Sequence, residues 1–168
     1  NLIRKGIPEL IEALSILNDQ GLQIKLVLAG KKGDGIDYLY DLINHYNLNS
    51  TIELLGEITK AEKIDLMRKS AIFVQPSHYE GFGLAMAEAM GCGACIITCD
   101  VGAVRDVVSD CGIYSIPGSA VDLAKKIKIA IEDKDLRIKL QEMAFQRANS
   151  EFSYRKKLEL LNSILNRM

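Results

Sequence analysis

Residues 71–98 read AIFVQPSHYEGFGLAMAEAMGCGACIIT, and the order of the pieces within this stretch decides the fold. The apolar run Ala71–Gln75, closed by Pro76, has the length and composition of a buried strand. A turn carrying Gly81 and Gly83 follows, then Leu84–Met90 as a short helix, then a second apolar run, Ala94–Thr98. The same alternation continues upstream. Pro8 opens a helix that Gly21 ends, Gln23–Ala29 is a strand stopped by Gly30, and Asp34–Tyr46 is a helix. Thr51–Leu55 is a strand ending at Gly56, and Thr59 with Glu62 forms a capping box for a helix over residues 60–69. Downstream come a short helix, Val104–Val108, and a strand, Gly112–Ile116, closed by Pro117. Three helices then follow over about 120–132, 134–149 and 153–167.

Strands that are apolar throughout and alternate with helices predict a parallel sheet covered on both faces. The fold class is α/β, a Rossmann-like three-layer sandwich with a mostly parallel sheet. Ligands in such folds bind beyond the carboxyl ends of the strands, where Gly30, Gly56, Pro76–Gly83 and Cys99–Ala103 fall. A doubly wound domain starts with a strand, whereas Asn1–Gly6 lead directly into a helix. Residues 1–6 are therefore expected to be the loop after a first strand that is missing from the sequence, and the chain part of a larger protein.

The 168 residues suffice for one domain that buries about 70% of its unfolded surface. With 21 basic and 22 acidic residues the net charge is −1, which argues against a nucleic-acid partner. The longest apolar runs are too short to span a bilayer. Cys92 and Cys95 have CxxC spacing, but no second pair completes a zinc set, so no metal is expected. Cys95 and Cys99 lie in or beside an apolar run and are expected to be reduced core thiols, which points to the cytosol.

The chemistry concentrates between Glu80 and Glu88. A glycine-rich turn lets backbone N–H groups approach a ligand, and the helix that follows adds a positive dipole end suited to phosphate. A carboxylate on that turn repels phosphate, and its natural partners are hydroxyl groups. Phosphate combined with many hydroxyls describes a nucleotide sugar. Taken alone, Glu88 is a surface carboxylate on an amphipathic helix and Glu80 a loop charge near a helix start. The two together, with the glycines between them, favour a donor-sugar site. A glycoside hydrolase also uses two carboxylates but has no need of a phosphate-cradling turn. A dinucleotide dehydrogenase would need a third glycine where Met86 stands.

Lys5-Gly6, Gly30, Leu55-Gly56-Glu57-Ile58, Pro76-Ser77, Glu80-Gly81-Phe82-Gly83, Glu88-Ala89-Met90, Gly93, Val101-Gly102 and Phe152-Ser153-Tyr154 occur in a familiar order. Over essentially all 168 residues the chain resembles the C-terminal, donor-binding half of retaining glycosyltransferases of the GT-B fold that carry E-x7-E (glycosyl transferases group 1, family 4). The resemblance implies a metal-independent transferase with no cofactor, using a UDP- or GDP-sugar on a glycan or lipid-linked acceptor, as in bacterial polysaccharide or lipopolysaccharide synthesis. Its partners would be the nucleotide sugar and its own N-terminal acceptor domain. The place would be the cytoplasm, at the inner face of the membrane if the acceptor is lipid-linked.

By the same resemblance Glu80 is the catalytic carboxylate, holding sugar hydroxyls beside the anomeric carbon. Glu88 takes the ribose hydroxyls, and the backbone of Gly81, Phe82, Gly83 and Leu84 contacts sugar and phosphate. Lys5 neutralises the diphosphate, and the loop Gly56, Glu57, Ile58 meets the base. The family's phosphate-binding arginine would fall just ahead of Asn1. Cys95 stands where proline is usual, Ala103 where glycine is common and Asp106 where glutamate is common. A non-catalytic nucleotide-sugar-binding module would use the same residues and stays open as the alternative. Leu158, Leu161, Ile164 and Leu165 form an apolar stripe on the last helix, expected to fold back or to mediate self-association when its partner domain is missing.

Overall fold

The computed structural model describes residues 2–31 and 35–152. Helices and strands alternate as α1 (Ile7–Asp19), β1 (Leu26–Ala29), α2 (Ile36–His45), β2 (Ile52–Gly56), α3 (Lys60–Lys69) and β3 (Ile72–Gln75). The chain continues through α4 (Leu84–Gly91), β4 (Cys95–Cys99), α5 (Val104–Val108), β5 (Gly112–Ser115), α6 (Ala120–Glu132) and α7 (Lys134–Glu151). Helix starts follow the sequence signals. The capping box of α3 forms in both directions, Ser119 accepts from the Asp122 N–H, and Asp133 accepts from the Leu136 N–H. The stripe over residues 153–167 lies outside the described residues.

Strand β4 is the centre of the three layers. All five of its residues are buried, and because side chains alternate across a strand they feed two different cores. Cys95 and Ile97 pack with Leu10 and Leu17 of α1 and Leu123 and Ile127 of α6. Ile96 points the other way, into Met86, Ala89 and Met90 of α4, Val104 and Val107 of α5 and Ala144 of α7. Met86 and Met90 are thus core residues, as their spacing on an apolar helix suggests. A third cluster joins Ile11 and Leu14 of α1 to Leu39 and Ile43 of α2 and Ile52 of β2.

All strand pairs are parallel, with Leu26 opposite Ile52, Ile72 opposite Cys95 and Ile96 opposite Gly112. The sheet is split, however, into β1–β2 and β3–β4–β5. β1 and β3 face each other across a cavity of about 950 Å³ lined by Leu26–Gly30 on one side and Ile72–Gln75 on the other. In the doubly wound order 3-2-1-4-5-6, β2 and β1 occupy the first two places and β3, β4 and β5 the last three. The position between them is the one that a first strand would take. This split also accounts for a difference from the sequence reading. Gln23–Ala29 and Ala71–Gln75 read as buried strands, yet β1 and β3 are largely half-buried, since each has one open edge. β1 also starts three residues late, at Leu26, where its ladder with Ile52 begins.

Cys95 and Cys99 are buried free thiols, and burial pushes the Cys95 pKa from its ordinary 9.0 up to about 11. Below pH 9 the thiol is protonated in the folded and the unfolded chain, and its contribution to stability is complete. Above pH 9 the unfolded chain loses the proton while the fold keeps it until about pH 11, so stability falls as pH rises through this window. We expect the urea midpoint to fall less steeply from pH 8 to 10 in Cys95→Ala than in the parent. Iodoacetamide at pH 8 should label the half-buried Cys92 well before Cys95. Equal labelling rates would contradict this placement.

Candidate functional site

The carboxyl ends of β3 and β4 carry the residues singled out by the sequence. Gly6, at φ +68°, turns the chain into α1. A Cβ on Gly6 would lie 2.0 Å from the Pro76 carbonyl oxygen, so only glycine permits this approach. Beside it the His78 N–H donates to the Arg4 carbonyl at 2.9 Å. These two contacts fix the loop so that Lys5 lies against Glu80. Lys5 Nζ donates to Glu80 Oε2 at 2.6 Å, and Gln75 Nε2 donates to the same oxygen at 2.5 Å. The Glu80 side chain is only 15% exposed. Its backbone is covered by the 101–103 turn. The Ala103 N–H reaches the Glu80 carbonyl at 3.3 Å, and Gly102, at φ +55°, lies so close that a Cβ would sit 2.1 Å from that carbonyl oxygen.

Gly83, at φ +88°, is the N-cap of α4, and no side chain caps that helix end. The Met86 and Ala87 N–H groups bond back to the Gly83 carbonyl. Helix α4 therefore presents its positive dipole end beside the Glu80 turn. Gly81, Phe82 and Leu84 are exposed on the same turn, Leu84 to 70%, and Phe82 meets Phe152 edge to face at 6.0 Å.

Glu88 lies one helical turn after Leu84. Lys63 of α3 grips it through both carboxylate oxygens, at 2.8 and 2.7 Å. Each of the two glutamates thus has its own lysine. Gly56, at φ +70°, ends β2 and accepts from the Gly30 N–H at 2.8 Å. Glu57 and Ile58 then line the cavity between β1 and β3 together with Lys5, Gln75 and Lys63. The structure therefore joins Lys5 to Glu80 and brings the Gly56–Ile58 loop to a cavity wall that Lys5 shares. His78 pairs with Glu9 at 2.8 Å, and Tyr79 is exposed.

Gln75 and Lys63 were not identified from the sequence. Gln75 carried a usable signal, as the one polar residue ending an otherwise apolar strand. Lys63 carried none, since Lys60, Arg68 and Lys69 share its helix and composition does not separate them. Among the described residues no group of three or more His, Cys, Asp or Glu could hold a metal ion. Among them, too, no helix is long and apolar enough to cross a membrane.

The fold is that of a Rossmann-like α/β domain, and comparison with known proteins gives the family. The family model for glycosyl transferases group 1 matches residues 2–147, so the chain belongs to that family. It is 30% identical over 135 residues to the O-antigen chain mannosyltransferase B of Escherichia coli, covering 80% of this chain and 35% of that protein. The C-terminal domain of a group 1 glycosyl transferase, LpcC, from Francisella tularensis superposes with a TM-score of 0.78 at 26% identity, over 90% of this chain and 81% of that one. Anabaena HepE, solved in complex with UDP and glucose, matches in fold with a TM-score of 0.88 at 24% identity, over 98% of this chain and 46% of that one. The chain spans about a third of the length of the curated E. coli relative. Its fold is that of the GT-B C-terminal half.

Proposed function

We propose that this chain is the donor-binding half of a metal-independent retaining glycosyltransferase. It takes a sugar from a UDP- or GDP-sugar to a glycan or lipid-linked acceptor, as in bacterial polysaccharide or lipopolysaccharide synthesis. The observation that carries this reading is the 2.6 Å pair of Lys5 and Glu80, 75 residues apart in sequence, beside the uncapped start of α4. A cation and a helix dipole suit a diphosphate, while a carboxylate suits sugar hydroxyls. The HepE complex with UDP and glucose supports a nucleotide sugar as ligand for this fold.

In this reading the diphosphate sits against Lys5 and the N–H groups of Gly81 to Leu84. Glu80, steadied by Gln75, accepts the sugar hydroxyls. An ionised carboxylate has about four acceptor positions. Lys63 uses one on each Glu88 oxygen, and the remaining ones take the two ribose hydroxyls. The Gly56–Ile58 loop meets the base through its backbone. As the bond from the anomeric carbon to the diphosphate breaks, negative charge builds on the leaving oxygen and Lys5 stabilises it. The acceptor hydroxyl attacks from the face that the nucleotide leaves and gives its proton to the diphosphate, so configuration is retained. The acceptor is held by an N-terminal domain, and the transferase works in the cytoplasm.

Calorimetric titration with UDP, GDP and ADP, each with and without EDTA, tests the binding half of this proposal. Weak binding of UDP or GDP, unchanged by EDTA, is expected. No binding, or binding only with magnesium, removes the basis for the reading. Transfer itself is expected only after a separately expressed N-terminal half is added, and transfer by the 168-residue chain alone would contradict the two-domain arrangement.

A further inference from the structure

We infer that Phe152, at the C-cap of α7, and Arg147 just before it are positioning residues for the Glu80 turn. They act through Phe82 and hold the backbone N–H groups of Gly81 to Leu84 ready for an anion. The inference rests on the proposed transferase reading for the identity of that anion, a diphosphate, and on the structure alone for the strut itself.

The turn has little of its own to order it. Gly81 and Gly83 have no side chains, and glycine loses more backbone freedom than any other residue when it is fixed. A Cβ on Gly81 would meet nothing within 4 Å, and Leu84 is 70% exposed. No side chain caps the start of α4. Phe82 is the residue that ties the turn to another element. Its ring meets Phe152 at 6.0 Å with the planes at 86°, an edge-to-face arrangement that aromatic pairs favour. Phe82 stays 44% exposed, so this contact holds the ring where burial alone does not.

Phe152 is itself fixed. It packs half-buried against the core that α4, α5 and α7 share, and its N–H donates to the Ala148 carbonyl at 3.0 Å. The Arg147 guanidinium lies 5.9 Å from the centre of the Phe152 ring, within cation–π range. The same guanidinium donates to the Asp106 carbonyl at 2.7 Å and to the Val107 carbonyl at 2.8 Å. Both carbonyls belong to the last turn of α5, a helix of five residues that cannot pair them internally. α5 starts directly after the 101–103 turn, which covers the Glu80 backbone. Arg147 thus joins two supports of one turn, residues 101–103 at Glu80 and Phe152 at Phe82. A turn held at both points loses less freedom when an anion binds than one held at Glu80 alone.

Phe152→Leu keeps an apolar side chain on the core but removes the ring, whereas Phe152→Tyr keeps the ring. In ligand-free Phe152→Leu, amide NMR order parameters over Gly81 to Leu84 should fall from about 0.85 to about 0.6 or below. Those of Cys95–Cys99 in β4 should stay near about 0.85. Affinity for UDP or GDP, whichever the parent chain binds more tightly, should weaken by about 2- to 10-fold, the range expected for one aromatic pair. Phe82→Leu should give the same loss, and combining it with Phe152→Leu should add nothing further, because both remove one contact. Phe152→Tyr should match the parent in every measure. Arg147→Met should follow Phe152→Leu, and it takes its place if that variant does not fold. Unchanged order in the turn, additive losses in the double variant, or loosening spread equally over Cys95–Cys99 would overturn the inference. So would a loosened turn that binds nucleotide as tightly as the parent. If neither nucleotide binds the parent, the transferase reading fails, and the order parameters still decide the strut by themselves.

Discussion

Glu80→Gln, measured in the chain combined with its acceptor half, is expected to lower turnover about 10²- to 10³-fold while the donor KM stays nearly constant. In the proposed donor site the substitution keeps the shape but removes the charge that would face the sugar as positive character develops at the anomeric carbon. It also removes the carboxylate partner of Lys5, which leaves that cation free to hold the diphosphate, so ground-state binding is not weakened. Glu88→Gln should do the opposite. In the proposed donor site its ribose contacts would be made in ground and transition states alike, and losing charge-assisted hydrogen bonds costs about 1.5–3 kcal/mol, or roughly 10- to 100-fold in donor KM. Lys63→Met should follow Glu88→Gln in direction, because it removes the cation that holds the carboxylate in place through both oxygens. Steady-state kinetics with varied donor separates these patterns, and equal changes in both parameters for Glu80→Gln and Glu88→Gln would show the roles to be misassigned.

The parts of this molecule that were legible in sequence are those fixed by local chemistry. The capping box at Thr59, the five-residue helix at Val104–Val108 and the buried run at β4 all stand where periodicity and turn residues put them. Gly6 and Gly83 were legible as part of motifs, and the structure supplies the reason for each: a positive φ in both, and for Gly6 an approach to the Pro76 carbonyl that no Cβ allows. What could not be read depends on neighbours distant in sequence. The partial exposure of β1 and β3 is a property of the gap between them, and both runs look as buried on paper as β4 does. Likewise nothing local distinguishes Lys63 from the other cations of α3, because its role arises 25 residues later at Glu88. Gln75 reaches Glu80 only because the chain doubles back over Pro76–Tyr79.

A second close approach of this kind, at Gly102, gives a large expected effect on stability, and three glycine-to-alanine changes isolate it. Gly91 ends α4 without a positive φ, and an added Cβ would meet Ala148 Cβ at an ordinary 3.9 Å. Gly91→Ala should therefore be neutral or stabilise by up to about 1 kcal/mol, through reduced backbone entropy of the unfolded chain. Gly93 has φ +82° but open space around it, so Gly93→Ala carries only the left-handed backbone cost of about 1–2 kcal/mol. Gly102 combines φ +55° with a Cβ position 2.1 Å from the Glu80 carbonyl oxygen. That atom is backbone and cannot rotate aside, so the 101–103 turn and Glu80 must separate. Gly102→Ala should cost about 3 kcal/mol or more, the backbone term plus an overpacking term. It should also lower turnover, because the shift carries the Glu80 carboxylate away from Lys5 and Gln75. Urea unfolding of the three variants measures the first effect, and kinetics with the acceptor half added measures the second. If Gly102→Ala unfolds at the same midpoint as Gly93→Ala, the turn is not clamped on Glu80. The position of the carboxylate would then rest on its two side-chain donors alone.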